Sequence, residues 1–355
     1  MLTSEKVDTA IQLASELKYT TEVELKMSSR MVGMQILRQF SMVPVQLQRF
    51  GAVNVFDCWT KKHQRRRSAL SEDARVFDYI KDEIGCRVAD RIYDIKRGFP
   101  IALDLGCGRG HVSRHVTPDV VEQLVMADSC QEALDAADAP EGVKASKVVI
   151  DEEQQLSFDD DSLNLVISSL NLHWINDLPA SFKEIYRCLK QDCPFIGCMF
   201  YGDTLFELRC SLQLAELERE GGFAPHVSPF VEAADLGGLL NRTGFSLITM
   251  DSDEFRIHYP SMFEVMWDLK GMGENNATWT RKPHLHRESL MAAAAIYKEM
   301  YGNEDGSVPA TFQVLHFIGW KPDPSQPKPA QRGSATVSLK DLGHISEMLQ
   351  GDKKT

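Results

Sequence analysis

The chain has 355 residues, 43% of them hydrophobic, which is enough for one large domain with an insertion or for two small domains. The formal net charge of −12 disfavours a nucleic-acid-binding protein, because such proteins normally carry a basic face. No apolar run approaches the roughly 18–20 residues that a membrane-spanning helix needs, so we expect no transmembrane segment.

The N-terminal segment has the composition of a mitochondrial presequence. No acidic residue occurs between residues 25 and 56, and Arg30, Arg38 and Arg49 lie there among apolar side chains. Presequences of this kind are acid-poor, rich in arginine and amphipathic. We therefore predict that residues 1–50 are a mitochondrial targeting leader, with a plain amphipathic helix as the alternative.

Residues 51–98 are predicted to form an N-terminal helical cap. Apolar residues recur at helical spacing from Val76 to Ile95, which predicts an amphipathic helix packed beside a sheet. Ahead of it lies a basic cluster made of Lys61, Lys62, Arg65, Arg66 and Arg67. A charge run is usually a solvated helix face, and we favour that interpretation over a helix lying across the mouth of a ligand site.

A glycine-rich turn follows the apolar run 101–105, which itself predicts a buried parallel strand. The turn carries glycines at alternate positions, namely Gly106, Gly108 and Gly110. Glycine lets the backbone take positive φ and approach a ligand closely. A dinucleotide-binding turn needs its third glycine where this chain has His111. With Asp104 ahead of the first glycine, the pattern instead resembles the first motif of class I S-adenosylmethionine (AdoMet) methyltransferases.

Strands and helices then alternate along the chain. Apolar runs predict further strands at 122–128, 148–151, 164–170, 194–200, 247–249 and 311–320. Helices are predicted between the strands, including one that ends before Pro118 and one at 178–189. Such alternation implies right-handed crossovers and a doubly wound parallel sheet. We predict a Rossmann-like α/β fold of the class I AdoMet methyltransferase type, with a mostly parallel seven-stranded sheet and an antiparallel last strand.

The predicted catalytic domain spans residues 99–320. Helical character over 201–243 predicts a lid beside the ligand site, and residues 259–309 are predicted to be a helical insertion between the last two strands. A Pro-rich linker and a polar tail are expected over 321–355.

Acidic residues follow the second and third strands. Asp128 can accept both hydroxyls of a ribose, as acids do in dinucleotide folds, and we favour this role over that of a helix cap. Asp151 and Glu152 can accept a hydrogen bond from an adenine amino group, with an acidic solvated loop as the alternative.

Candidate site residues also follow the fourth and fifth strands. Leu170 and Trp174 are predicted to border the cofactor, because an aromatic face attracts the sulfonium cation. Candidate substrate-binding residues are His173, Tyr201, Asp203 and Arg209. A structural role is the more frequent one for a lone histidine, and the segment after Tyr201 is equally well explained as a helix packed on the sheet.

No metal site is predicted. His286 and Glu288 have the spacing of two ligands of a non-haem iron site, but such residues share a face only on a strand. Here they lead into a strong helix, so Glu288 is interpreted as a favourable charge at a helix N-terminus.

The chain resembles class I AdoMet methyltransferases of the biotin-synthesis type and, at greater length, the mitochondrial complex I assembly factor 5 family. The resemblance runs from about residue 54 to the C-terminus. It is carried by the segments Asn54–Asp57, Phe77–Tyr79, Ala89–Ile95, Asp104–Gly110, Ser168–Asp177, Phe200–Ser211, Glu218–Phe223, Gly271–Glu274, Met300–Ala310 and Arg332–Ser338. Cys58 stands where the resemblance leads us to expect a basic residue.

The resemblance implies an arginine hydroxylase of the mitochondrial matrix, peripheral to the inner membrane. Its implied partners are an iron–sulfur subunit of respiratory complex I, as the client, and other assembly factors. The implied cofactor is AdoMet, bound by Asp104, Gly106, Gly108, Gly110 and Asp128. No catalytic residue is implied.

The residues taken by themselves favour methyl transfer, which needs mainly the alignment of a nucleophile with the sulfonium methyl group. Two alternatives to hydroxylation therefore remain open. One is an AdoMet-dependent methyltransferase acting on a protein or a small molecule. The other is a catalytically silent, AdoMet-binding chaperone that escorts the client.

Overall fold

The computed structural model describes residues 54–327 and 332–334. The predicted leader and most of the predicted C-terminal tail lie outside the described residues. The described helices, α1 to α8, are Cys58–Ala69, Tyr79–Tyr93, Gln131–Asp135, Leu178–Cys188, Phe206–Glu220, Ala233–Thr243, Met262–Met272 and Arg287–Tyr301. The strands, β1 to β7, are Phe99–Leu105, Val121–Asp128, Lys144–Val149, Leu165–Ser169, Pro194–Phe200, Ser246–Tyr259 and Val308–Trp320.

The seven strands form one sheet in the order β3-β2-β1-β4-β5-β7-β6. Strands β1 to β5 are parallel, whereas β7 pairs antiparallel with both β5 and β6. The mostly parallel sheet with an antiparallel last strand is therefore confirmed. The strand order reverses between β1 and β4, and ligands of open α/β sheets bind beyond the carboxyl ends of the strands at such a point.

Apolar side chains cover both faces of the sheet, as the near-continuous apolar runs of its central strands require. On one face, Ile84 and Val88 of α2 pack in the same buried cluster as Ala102 of β1. On the other face, Phe182 of α4 packs in the cluster that contains Leu103. The side chains of Ala102 and Leu103 thus point to opposite faces of the sheet, because side chains alternate along a strand.

Four predicted elements differ from the structure. The strand predicted at 247–249 continues to residue 259, and the strand predicted at 311–320 begins at residue 308. The helix expected before Pro118 was wrong, because the described chain between β1 and β2 has a 3₁₀ turn, Ser113–His115. The three glycines and the proline leave only about two helical turns of chain there. The third strand begins at Lys144, four residues before the predicted start at Val148. This edge strand is mostly exposed, so it lacks the apolar run by which a buried strand is found.

The helices of the predicted lid and of the predicted insertion pack on the body of the domain. Helix α5 packs against α8 and β7, whereas α6 packs against α4 and β6. Within this packing the buried carboxylate of Glu207 accepts a hydrogen bond from the backbone N–H of Thr311, at 3.2 Å. Helix α7 contacts α1 and the 3₁₀ turn Ala74–Phe77. The insertion thereby reaches the carboxyl edge of the sheet.

Candidate functional site

The glycine turn after β1 brings the end of β4 close to the backbone. Gly106 has φ +75°, a region that L-residues with a side chain avoid. A Cβ atom built on Gly106 would lie 2.2 Å from Cγ of Asn171, so this position also has no room for a side chain. The turn therefore needs glycine for two separate reasons, and the outcome is a narrow cleft between the ends of β1 and β4.

Asp104 lies at the bottom of this cleft and is fully buried. The hydroxyl of Ser113 donates to Oδ2 at 2.7 Å, while the buried Oδ1 has no hydrogen-bond partner. Burial raises the pKa of Asp104 to about 7, with a smaller contribution from the charge of Asp128. An unpaired buried carboxylate oxygen is costly, so the site is suited to a ligand that brings a donor or a positive charge.

Asp128, the last residue of β2, ties the glycine turn to the neighbouring strand. Its Oδ2 accepts from the backbone N–H of Gly108 at 2.9 Å, and its Oδ1 accepts from that of Cys130 at 2.8 Å. Each carboxylate oxygen has two lone pairs, so both retain capacity for a further donor. The carboxylate thus fixes the backbone just before α3, which is close to the helix-capping role that was the alternative for Asp128. Its remaining lone pairs leave it able to accept ribose hydroxyls.

Glu152 rather than Asp151 points into the interior at the end of β3. Glu152 is buried, and the amide of Asn171 donates to its Oε1 at 3.1 Å. Burial raises the pKa of Glu152 to about 7. Asp151 is exposed and accepts from the backbone N–H of Glu153. Both acids border the cleft, but only Glu152 is held in place by the end of β4.

Arg65 of α1 reaches into the middle of this constellation. It donates to Oδ1 of Asn171, and its Nη1 lies 3.7 Å from Oε1 of Glu152. Burial alone would lower the pKa of Arg65, but the charges of Asp128 and Glu152 raise it, so the guanidinium stays charged. The solvated-face interpretation of the basic cluster is wrong for Lys61 and Arg65, which lie on the inner side of the helix.

Two cavities meet at Arg65. Lining residues of the first include Arg65, Asp104, Gly106, Asp128, Leu170 and Glu274. Lining residues of the second include Arg65, Asp151, Glu152, Asn171, Trp174 and Ile175. The structure therefore brings the predicted cofactor residues of four strand ends to two adjoining cavities, except for Gly110, which lines neither of them. Their assignment as AdoMet ligands stays a prediction.

A buried carboxylate, Glu274, forms the wall opposite the strand ends. It accepts from Nζ of Lys81 at 2.8 Å and from the indole N–H of Trp174 at 2.7 Å. Although burial alone would raise it, the pKa of Glu274 is held well below its usual range by Lys81, His173 and Lys61. Sequence reasoning gave Glu274 no role in the site, and it favoured a solvated face for Arg65 over a helix across the mouth of the ligand site. The four-residue spacing of Lys61 and Arg65, which places them on one helix face, was the available signal.

Trp174 and His173 line the same wall. The ammonium of Lys61 lies 3.2 Å from the centre of the Trp174 ring, and the Phe56 ring packs edge-on against that indole. The indole N–H of Trp174 is also satisfied, because it donates to Glu274. Nε2 of His173 lies 3.4 Å from Glu274, and burial lowers the pKa of His173, which keeps the imidazole neutral at pH 7.

None of the four candidate substrate residues, His173 included, lines either of these two cavities. Tyr201 pairs by an isolated bridge with Val231, and Asp203 is exposed. Arg209 is half-buried, and its guanidinium donates to the carbonyl of Thr204 at 3.3 Å. Their assignment to substrate binding stays a prediction.

One group of three acidic and histidine side chains in the described part of the chain has metal-binding spacing. The ligand atoms of Asp78, Asp82 and His111 lie within 4.8 Å of one another. Arg109 forms a two-pronged ion pair with Asp78, and Arg114 lies 3.0 Å from Asp82. The carboxylates are thus already neutralised by arginines. His286 is the residue that precedes the first turn of α8, without a capping hydrogen bond from its side chain, and Glu288 lies in that first turn.

Comparison with known proteins defines the class of this fold and cleft. A family model described as "Methyltransferase domain" matches residues 103–196. The chain is 52% identical over 303 residues to "Arginine-hydroxylase NDUFAF5, mitochondrial" of Mus musculus, covering 85% of this chain and 88% of that protein. The protein of the same name from Danio rerio is 53% identical over 304 residues, covering 85% and 93%.

A more distant relative carries a methyltransferase name. The chain is 27% identical over 277 residues to a "Malonyl-[acyl-carrier protein] O-methyltransferase" of Methylovorus sp., covering 75% of this chain and 91% of that protein. The chain is therefore a protein of the methyltransferase fold. More particularly, it belongs to the arginine-hydroxylase NDUFAF5 family, as the resemblance predicted. No helix within the described residues is long and apolar enough to cross a membrane.

We expect Glu274→Gln to destabilise the protein by about 1.5–3 kcal/mol, because it removes the charged partner of the half-buried ammonium of Lys81. The pKa of Glu274 is depressed in the folded state, so its contribution exists above its usual pKa and is lost as the pH falls through the lower, folded value. Urea unfolding at pH 7 and at about pH 3 measures this. The difference in unfolding free energy between wild type and Glu274→Gln should be smaller at the lower pH.

The matched control is Glu72→Gln, because Glu72 is exposed in the loop that follows α1. This control should stay within about 0.5 kcal/mol of wild type. An equally small change for Glu274→Gln at pH 7 would contradict the assignment of Glu274 as the anchor of this wall.

Proposed function

We propose that the cleft beyond β1, β2, β3 and β4 binds AdoMet, and that the chain hydroxylates an arginine side chain of a protein client. The single observation that supports the cofactor most strongly is the buried, unpartnered Oδ1 of Asp104 beside a glycine turn. The α-ammonium group of an amino-acid moiety would supply the missing donor. The membership in the arginine-hydroxylase family supports the reaction.

The residues present fit this cofactor part by part. Asp104 and the glycine turn would receive the methionine moiety, and Asp128 would accept the ribose hydroxyls. Glu152 would accept from the adenine amino group, with Leu170 and Trp174 along the cleft. When bound, AdoMet supplies a sulfonium centre with an activated methyl group. The protein's own contribution is to orient the ligand and to exclude water through the wall formed by Glu274 and Trp174.

We further propose the setting that the names of the relatives suggest. Those relatives are called mitochondrial arginine hydroxylases, which supports a mitochondrial location for this chain. Within it, we propose the matrix side of the inner membrane, peripheral association, and an iron–sulfur subunit of complex I as client during assembly, together with other assembly factors.

Methyl transfer is the second candidate. The family model of the methyltransferase domain and the methyltransferase name of the Methylovorus relative favour it. The two reactions differ in what they add to the client, since hydroxylation adds one oxygen atom and methylation adds the equivalent of one CH₂ group.

The binding of S-adenosylhomocysteine should weaken on acidification. Two cleft carboxyls, Asp104 and Glu152, have a pKa raised to about 7, so they lose their charge as the pH falls through that value. Each carboxyl should contribute about a tenfold loss of affinity between pH 8 and pH 6, because the ionised fraction falls by that factor. Calorimetric titration at both values measures the loss.

The variants Asp104→Asn and Glu152→Gln each lack one titrating carboxyl. The loss of affinity between pH 8 and pH 6 should therefore be about tenfold smaller in each variant than in wild type. Asp135→Asn serves as the control, because Asp135 is exposed on α3. It should keep the wild-type pH profile. A wild-type affinity that does not change between pH 6 and pH 8 would contradict the cofactor site as described.

The reaction is tested by mass spectrometry of arginine-containing client peptides after incubation with the protein and AdoMet. Hydroxylation replaces a C–H bond with C–OH and is a two-electron oxidation of the side chain, so the assay also supplies molecular oxygen and a two-electron reductant. We expect an arginine residue to gain one oxygen atom. A gain of one CH₂ unit would establish methyl transfer instead, and unchanged peptides would support the chaperone alternative.

A further inference from the structure

Arg65 lies in the place where the two cavities of the cleft meet. It lines both, and its guanidinium lies between Asn171 and Glu152, at the ends of β4 and β3. The negative charge of Asp128 also attracts the guanidinium. These are the same acceptor groups that a nucleoside spanning the two cavities would use.

Hydrogen bonds hold helix α1, which carries Arg65, to the loop after α7. The guanidinium of Arg65 can therefore leave the cavities only through rotations within its own side chain. Nζ of Lys61 donates to the carbonyls of Gly273 and Asn275, both at 2.9 Å. One turn later, the amide of Gln64 donates to the carbonyl of Asn276 at 3.2 Å. The long arginine side chain, by contrast, has four rotatable carbon–carbon and carbon–nitrogen bonds, and only its head group is held.

We propose that Arg65 is an internal occupant of the nucleoside site, which a ligand must displace in order to bind. The guanidinium occupies acceptor groups of Asn171 and Glu152 at the place where the two cavities adjoin. A ligand that fills both cavities replaces these contacts with its own, whereas a ligand that fills one cavity does not. An adenosyl ligand would place its ribose at Asp128, in the first cavity, and its adenine at Glu152, in the second, so adenosine and S-adenosylhomocysteine must both displace Arg65.

The proposal rests on the proposed function, because it assumes that the cleft binds an adenosyl ligand. It also differs from a simpler role in which Arg65 is itself a ligand of the cofactor. Removal of a displaced occupant strengthens binding, while removal of a ligand weakens it. The sign of the change in affinity therefore separates the two roles.

The test compares wild type, Arg65→Ala and Arg65→Met by calorimetric titration with adenosine and with S-adenosylhomocysteine. Neither compound carries a net charge, so loss of a positive charge from the protein does not by itself attract it. Because both compounds would displace Arg65, we expect both variants to bind adenosine and S-adenosylhomocysteine at least about fivefold more tightly than wild type. Arg65→Met keeps much of the aliphatic stem and guards against loss of folding in Arg65→Ala.

The matched control is Arg66→Ala, because the neighbouring Arg66 is more than half exposed and pairs with Glu132 at 2.7 Å outside the two cavities. This control should bind both compounds as wild type does. Unchanged or weaker adenosine binding by the folded Arg65 variants would overturn the inference while leaving the cofactor site intact. Failure of all the proteins, including wild type, to bind S-adenosylhomocysteine would overturn the cofactor site and this inference together.

Discussion

The buried carboxylate of Glu274 is the contact on which the geometry of the cleft depends. It joins Lys81 of α2, Trp174 after β4 and the segment that ends α7. A charge taken out of water must be paired with good geometry, so these three parts of the chain are fixed relative to one another. The wall opposite the strand ends is therefore a product of electrostatic pairing rather than of apolar packing alone.

The N-terminal helix α1 depends on the same principle. Its buried residues are Lys61, Gln64 and Ser68, all of them polar. They donate to backbone carbonyls between residues 271 and 276, at the end of α7 and in the loop that follows it. The helix is thus docked by hydrogen bonds to a loop, and this docking brings Arg65 to the carboxylates of the cleft.

The sheet could be predicted because its central strands are short apolar runs bounded by glycines and acids. Asp104 and Asp128 could be placed for a similar reason, since residues that end parallel strands meet at one edge. The edge strand β3 was placed too late, because an exposed strand has no apolar run. A helix was wrongly expected after the glycine turn, where the periodic signal is short and the chain forms a 3₁₀ turn.

The opposite wall could not be predicted in the same way. Glu274 lies 100 residues from Trp174 in sequence, and nothing local marks a glutamate as buried. The basic cluster of α1 was ambiguous, because its pattern of charge fits both a solvated face and a polar buried one. Pairing partners of buried charges are long-range information, which a local pattern does not contain. For that reason the position of the strand ends in the cleft was predicted more completely than the wall that contains Glu274.

The central claim is that the ends of four strands hold one adenosyl ligand between Asp104 and Glu152. A crystal structure of the protein saturated with S-adenosylhomocysteine tests it most directly. The account predicts the ribose hydroxyls at hydrogen-bond distance from Asp128, the adenine amino group at Glu152, and the Arg65 guanidinium moved away from the place where the two cavities adjoin. Ligand bound elsewhere on the folded protein, or a cleft that stays empty at saturation, would contradict it.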